Sequence, residues 1–330
     1  MTGKVRITLA CGDYDRNHAL RDGTVKVDGV DLNYITLPVE ETFWRMLQYE
    51  EFDAAEMSMS AYVLKLSRGE DQFIAIPVFP SKMFRHSCIF INREAGIRRP
   101  EDLRGRKIGT PEYHMTAGLW LRGILQHEYG VYPHEIEWFT GGAEEPGRVE
   151  RVTLNLPPEI KLTPVLDKTL NNMLVDGEID ALIAPRMPSA LEKGSPKVGR
   201  LIENYFEVEK DYYQRTGIIP IMHTVVLKRS LYEKNPWLAQ SLYKAFYQSK
   251  ELCLKKMYDS NALTHSLPFL LVNVEEQRKI FGYDLWSYGV EKNLKALEAL
   301  TQYSYEQGLS ERLVSVDELF APSTIAGFHI

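Results

Sequence analysis

Two histidines stand out against largely apolar runs. His86 closes Met83-Phe84-Arg85-His86, just before Cys88 to Ile91, and His223 sits in Pro220-Ile221-Met222-His223-Thr224, inside the run Ile218 to Leu227. Imidazole exchanges protons near neutral pH, so either ring can serve as acid or base. Each also admits a structural role. A histidine within an apolar strand is costly to bury unpaired, so His223 either bonds a neighbour or faces a cavity, and His86 is either a satisfied core group or a proton carrier. Beside His86, Arg85 offers the planar fork that grips a carboxylate.

Four further segments can bind an anion. Tyr14-Asp15-Arg16 is a cleft contact or a polar loop with its own salt bridge. In Glu56-Met57-Ser58-Met59-Ser60 the hydroxyls of Ser58 and Ser60 cap a helix beginning at Ala61, and a capped helix start is also an anion site. Pro111-Glu112-Tyr113-His114-Met115-Thr116 opens a helix whose dipole favours an anion by roughly 0.3–2 kcal/mol, unless Thr116 is simply its N-cap. Arg186, in Ala184-Pro185-Arg186-Met187-Pro188, is a surface charge or a second anion contact.

The rest of the sequence narrows the chemistry. There is no GxGxxG, GxxxxGK[ST], HExxH or GxSxG, and the acidic and histidine residues are too scattered to specify a metal site. Hydride transfer, ATP use and zinc proteolysis lose ground. With 39 basic and 45 acidic residues the net charge is -6, which argues against nucleic acid as a partner and requires local positive charge for an anionic ligand. That charge concentrates in Lys82, Arg85, Arg93, Arg98, Arg99, Arg104, Arg106 and Lys107. No run approaches the ~18 apolar residues of a membrane span. The three cysteines, Cys11, Cys88 and Cys253, form no CxxC pair and read as reduced, buried residues. The chain enters a strand pattern within MTGKVRITLACGD, so a cytoplasmic location is expected.

Positioning these groups falls to an α/β layering, because short β runs alternate with helical stretches over 330 residues, enough for about two domains. Strands are predicted at Val5 to Ala10, Val30 to Leu37, Phe73 to Phe79, Lys107 to Thr110, Asp180 to Ala184 and Ile218 to Lys228. Helices are predicted over Glu40 to Tyr49, Thr116 to Tyr129, Val165 to Val175, Pro236 to Lys256, Glu275 to Phe281 and Glu291 to Glu306. Gly141 to Pro164, crowded with glycine and proline, reads as a long functional loop. Leu47 to Ala55 and Leu174 to Leu182 share one pattern, a helix end, an acidic turn and a strand start, which predicts two similar β-α-β halves around a cleft.

Taken together, Tyr14-Asp15-Arg16, Phe52-Asp53-x-x-Glu56-Met57-Ser58, Phe84-Arg85-His86, Asp102-Leu103-Arg104-Gly105, Pro111-Glu112-Tyr113-x-Met115-Thr116-Ala117, Trp138-x-x-Gly141-Gly142 and Pro220-Ile221-Met222-His223-Thr224 resemble the 4,5-dihydroxyphthalate decarboxylase family over nearly the whole chain. The resemblance implies a type II periplasmic binding-protein-like fold, two α/β lobes, each a mixed sheet flanked by helices, with extra C-terminal helices. The expected boundaries are residues 1–86 with 206–330 for one lobe and 87–205 for the other.

The same resemblance implies non-oxidative decarboxylation of a small anionic aromatic substrate, within phthalate degradation, without a redox cofactor; no cofactor and no metal ligand is assigned, and whether a divalent metal assists is left open. His223, His86 and Asp15 are the expected catalytic residues. Arg16, Glu56, Ser58, Arg85, Glu112, Tyr113, Thr116 and Arg186 are expected to bind substrate. The rivals are a non-catalytic binding protein for an aromatic acid or pyrimidine precursor, and a decarboxylase of another hydroxylated aromatic acid. The helical, tyrosine-rich C-terminal third offers surface for a homo-oligomer.

Overall fold

Prolines and glycines mark where the elements stop. The computed structural model of the chain describes residues 3–326. Five strands, β1 (Val5–Cys11), β2 (Val30–Thr36), β3 (Ala54–Ser58), β4 (Phe73–Ile76) and β11 (His223–Lys228), form one sheet in the order β2-β1-β3-β11-β4. Six others, β5 (Ile89–Asn92), β6 (Lys107–Thr110), β7 (Glu137–Gly141), β8 (Lys161–Val165), β9 (Ala181–Ile183) and β10 (Val198–Arg200), form a second in the order β10-β5-β9-β6-β7-β8. In each sheet one strand that arrives from the other half of the chain runs antiparallel, β11 against β3 and β5 against β9.

The helices that matter here are α1 (Val39–Tyr49), α2 (Met59–Ser67), α3 (Thr116–Tyr129), α4 (Leu170–Asp176), α5 (Tyr205–Thr216), α6 (Trp237–Met257), α7 (Leu270–Phe281) and α8 (Leu294–Glu306). The repeated pattern is real: α1 ends on Glu50 and α4 on Gly177, both left-handed (φ 47° and 75°), and each leads into a strand, β3 and β9. Two segments pass between the sheets, 77–88 and 201–222, and they pair where they cross. Met83 N–H donates to Pro220 O at 3.0 Å, and Met222 N–H to Ser81 O at 2.8 Å.

Three expectations shift. The strand predicted over Phe73 to Phe79 stops at Ile76, where Pro77 removes a ladder donor. The one predicted over Ile218 to Lys228 starts only at His223, because Pro220 lies in the crossing segment. The helix predicted from Val165 begins at Leu170. Thr169 caps it by accepting from Asn172 N–H, and Lys161–Val165 instead forms the edge strand β8, where Pro164 is tolerated. Among the described residues no helix is long and apolar enough to cross a membrane.

The C-terminal helices pack closely on the rest. At Gly123 in α3 an added Cβ would stand 2.0 Å from Tyr303 Cδ2 in α8, and that ring is fixed by Trp120 and His127. Gly123→Ala should therefore lower unfolding stability by about 1–3 kcal/mol in urea titrations, and an unchanged midpoint would contradict this packing.

Candidate active site

β3 and β11 place the central pair. Their register sets His223 opposite Ser58 and Val225 opposite Glu56, so Glu56 and His223 are diagonal neighbours on one face. Glu56 is fully buried and its Oε1 meets His223 Nδ1 at 2.6 Å. The same carboxylate accepts Tyr14 Oη–H at 2.7 Å and Gly12 N–H at 2.9 Å. Burial pushes the Glu56 carboxyl up, but His223, Tyr14 and the Gly12 amide outweigh it and hold the group below the usual carboxylate range. The anion fixes Nδ1–H toward itself, leaving Nε2 to meet a ligand. His223 keeps 16% of its side chain exposed and packs edge-on against Phe43, with ring centroids 4.8 Å apart.

His223 lines a cavity of about 200 Å³ between the two sheets. Its charged lining is four arginines, Arg85, Arg148, Arg151 and Arg186, against two glutamates, Glu40 and Glu112, a formal surplus of two positive charges. Arg85 is buried with no carboxylate partner among the described residues. Its contacts are Met222 Sδ at 3.3 Å from Nε, with Cys88 Sγ at 3.9 Å and Pro185 O at 3.5 Å from Nη1. Glu112 is 2% exposed and tightly held, accepting from Arg148 Nε at 2.7 Å, and Arg151 Nε lies 3.5 Å away. His114 bridges Glu150 (2.6 Å from Nδ1) and Glu112 (3.4 Å from Nε2). These three side chains could hold a cation, their ligand atoms lying within 4.8 Å of one another, but the arginines already neutralise Glu112.

The structure gathers only some of the predicted residues. His223, Ser58, Arg85, Glu112, Thr116 and Arg186 line the cavity, and Glu56 stands behind His223. Thr116 is not the N-cap; Met115 holds that place, and the Thr116 hydroxyl bonds Ser58 Oγ at 2.9 Å and Ser60 Oγ at 3.0 Å across the cleft. The helix expected from Ala61 starts at Met59 with Ser58 as its cap.

His86 belongs elsewhere. It is 1% exposed and packs on α5 against Tyr212, with Glu209 at 3.7 Å, because the chain turns inward there toward the crossing helix. Tyr113 is a core residue, its ring under the Arg122 guanidinium at 3.8 Å and against Trp138. Arg16 is consumed by Pro80 O, Asp15 and the faces of Tyr14 and Trp286, and Asp15 faces a separate recess with Cys253 and His265. Of the basic stretch from Lys82 to Lys107, Arg85 alone lines the cavity.

Sequence reasoning missed Glu40, Phe43, Arg148 and Arg151. The first two sit on a helix whose apolar stripe reads as core. The arginines lie in the long glycine- and proline-rich loop, where the triplet spacing of Arg148 and Arg151 around Glu150 was the available signal.

Glu56→Gln should cost about 2 kcal/mol or more at pH 7, since a buried charged acceptor is lost from three donors. Because the folded carboxyl titrates below its free value of 4.5, that contribution is present above pH 4.5 and is lost as pH falls through the folded value. The wild-type advantage in urea unfolding should therefore shrink below pH 4.5. A difference that stays constant with pH would contradict an ionised Glu56.

No protein-family model matches the chain. Among solved structures it is similar to the periplasmic aliphatic sulphonate-binding protein SsuA of Escherichia coli, with TM-score 0.55 and 12% identity over 98% of this chain and 100% of that one. The alkanesulfonate-binding protein SsuA of Xanthomonas axonopodis pv. citri gives TM-score 0.53 and 12% identity over 98% and 99%. These likenesses establish the two-lobed binding-protein fold. In sequence the chain is 39% identical to 4,5-dihydroxyphthalate decarboxylase of Comamonas testosteroni over 328 residues, 99% of each chain. It is also 39% identical over 212 residues to the enzyme of that name from Pseudomonas putida, covering 64% of this chain and 82% of that one. On this similarity, carried through the full length, the chain belongs to the 4,5-dihydroxyphthalate decarboxylase family.

Proposed function

We propose that the protein decarboxylates 4,5-dihydroxyphthalate to protocatechuate and CO2, with the two sheets as lobes that close over the substrate. The observation that carries this reading is a buried carboxylate holding one imidazole, His223, at the wall of a cavity with two surplus positive charges. A receptor for an anion would need the arginines; it would have no use for a buried acid that orients an imidazole nitrogen into the cavity.

Losing CO2 directly would leave an aryl carbanion. The lower route is for His223 Nε2–H to give its proton to the ring carbon bearing the departing carboxylate, while the para hydroxyl ionises and feeds electrons into the ring. The C–C bond then breaks, its pair restores aromaticity and CO2 leaves; the para phenolate takes back a proton and His223 regains its own from solvent, so one solvent proton is consumed for each CO2 released. Glu56 orients the ring through its contact with Nδ1. It is a positioning residue, since it does not line the cavity.

The carboxylate that stays is gripped by arginine. The one that leaves is held more loosely, next to the apolar wall of Phe43, Leu47 and Met222, because holding its charge equally well in the ground state would slow its loss. The start of α3, where Met115, Thr116 and Ala117 line the cavity, adds favourable dipole. Lobe closure would exclude water. A cytoplasmic location belongs to the same reading.

Incubation with 4,5-dihydroxyphthalate and chromatography should show protocatechuate. In His223→Asn its formation should fall by about 100-fold or more with substrate binding retained, and near-normal turnover would remove His223 from the proton-transfer step. Arg85→Lys should weaken binding by about tenfold through loss of the bidentate fork, whereas unchanged affinity by calorimetry would remove Arg85 as an anchor.

A further inference from the structure

One carboxylate in the cavity is held differently from the other. Glu112 is almost fully buried and meets Arg148 at hydrogen-bond distance. Glu40, 35% exposed on α1, reaches across the cleft to three arginines of the opposite lobe at looser distances: Arg148 at 3.6 Å, Arg151 at 3.5 Å and Arg186 at 3.9 Å. None of these contacts is a paired fork, and Arg186 is 82% exposed, so each is weak and exchangeable. A ligand carboxylate presenting two oxygens to a guanidinium would form shorter, charge-assisted bonds and would displace Glu40 while leaving Glu112 in place.

We propose that Arg148, Arg151 and Arg186 form a second carboxylate subsite, which Glu40 occupies while the cavity is free of ligand and surrenders to a carboxylate of an aromatic dicarboxylate. The placement suits such a ligand. Glu40 lies three residues before Phe43 on α1, which is one helical turn, and Phe43 packs on His223. Both the subsite and the imidazole therefore face the same cavity from neighbouring turns of α1, through Glu40 and Phe43. With Arg85 it supplies two separated cationic grips. Selectivity for a diacid over a monoacid follows, because only a second carboxylate repays the displacement of Glu40. This inference rests on the reading of the cavity as an aromatic-diacid site.

The test is calorimetry with phthalate, which has both carboxylates but no hydroxyl to promote its decarboxylation, and with benzoate as the monoacid. Glu40→Gln removes the internal competitor, so phthalate should bind about three- to thirty-fold more tightly, while benzoate changes less. Arg151→Gln, chosen because Arg148 holds Glu112 more tightly (2.7 Å against 3.5 Å), should weaken phthalate by about tenfold and leave benzoate within about twofold. Weaker or unchanged phthalate binding in Glu40→Gln, with wild-type protein still binding it, would overturn the subsite and leave the proposed reaction standing. Equal loss of both acids in Arg151→Gln would also overturn it. Failure of phthalate to bind either wild-type or Glu40→Gln protein would overturn the reading of the cavity itself, and the subsite with it.

Discussion

A carboxylate removed from water must be surrounded by donors, and that requirement at Glu56 organises the centre of the molecule. Its partners come from two places: the Gly12 amide and Tyr14 hydroxyl just after β1, and His223 at the start of β11. Strands distant in sequence therefore have to meet at β3 in one register. Gly12 shows how tight the arrangement is, since a Cβ there would stand 2.8 Å from the Tyr14 ring and 3.2 Å from Glu56 Oε2. Removing the carboxylate would leave its partners as buried, unpaired donors, so the network depends on that one group. What it produces is an imidazole whose free nitrogen points in one direction.

The second constraint is charge. An overall net of -6 coexists with a cavity whose lining carries surplus positive charge, and the contributions come from separated segments. Arg85 lies on the first crossing segment, Arg148 and Arg151 on the loop after β7, and Arg186 just after β9. Only folding brings them together. Their partners differ in a way that fits use: Glu112 is fixed from below, Glu40 leans in from the rim, and Arg85 meets only sulfur and carbonyl groups.

Much of the fold was legible because its signals are local. The α3 boundaries follow from periodicity and from Gly130, which adopts the left-handed cap conformation that ends the helix. The echo between Leu47 to Ala55 and Leu174 to Leu182 reads directly as two equivalent helix-to-strand turns. In the site, His223 was legible because an imidazole in an apolar strand demands a partner, although Glu56 as that partner depends on the β3–β11 register. His86 looked equivalent in sequence, but which way a residue faces in a crossing segment is set by α5, far along the chain. Glu40 was invisible for the same reason: it is an ordinary surface-type residue until the opposing lobe faces it, and Arg151 offered only its spacing from Arg148.

The proposed chemistry turns on this oriented imidazole delivering a proton to a ring carbon. It is read most directly by running the reaction of 4,5-dihydroxyphthalate in D2O and taking the NMR spectrum of the recovered aromatic acid. Proton delivery to carbon gives protocatechuate carrying one deuterium, at the carbon that lost its carboxylate. Binding of the diacid followed by its recovery unchanged would contradict it.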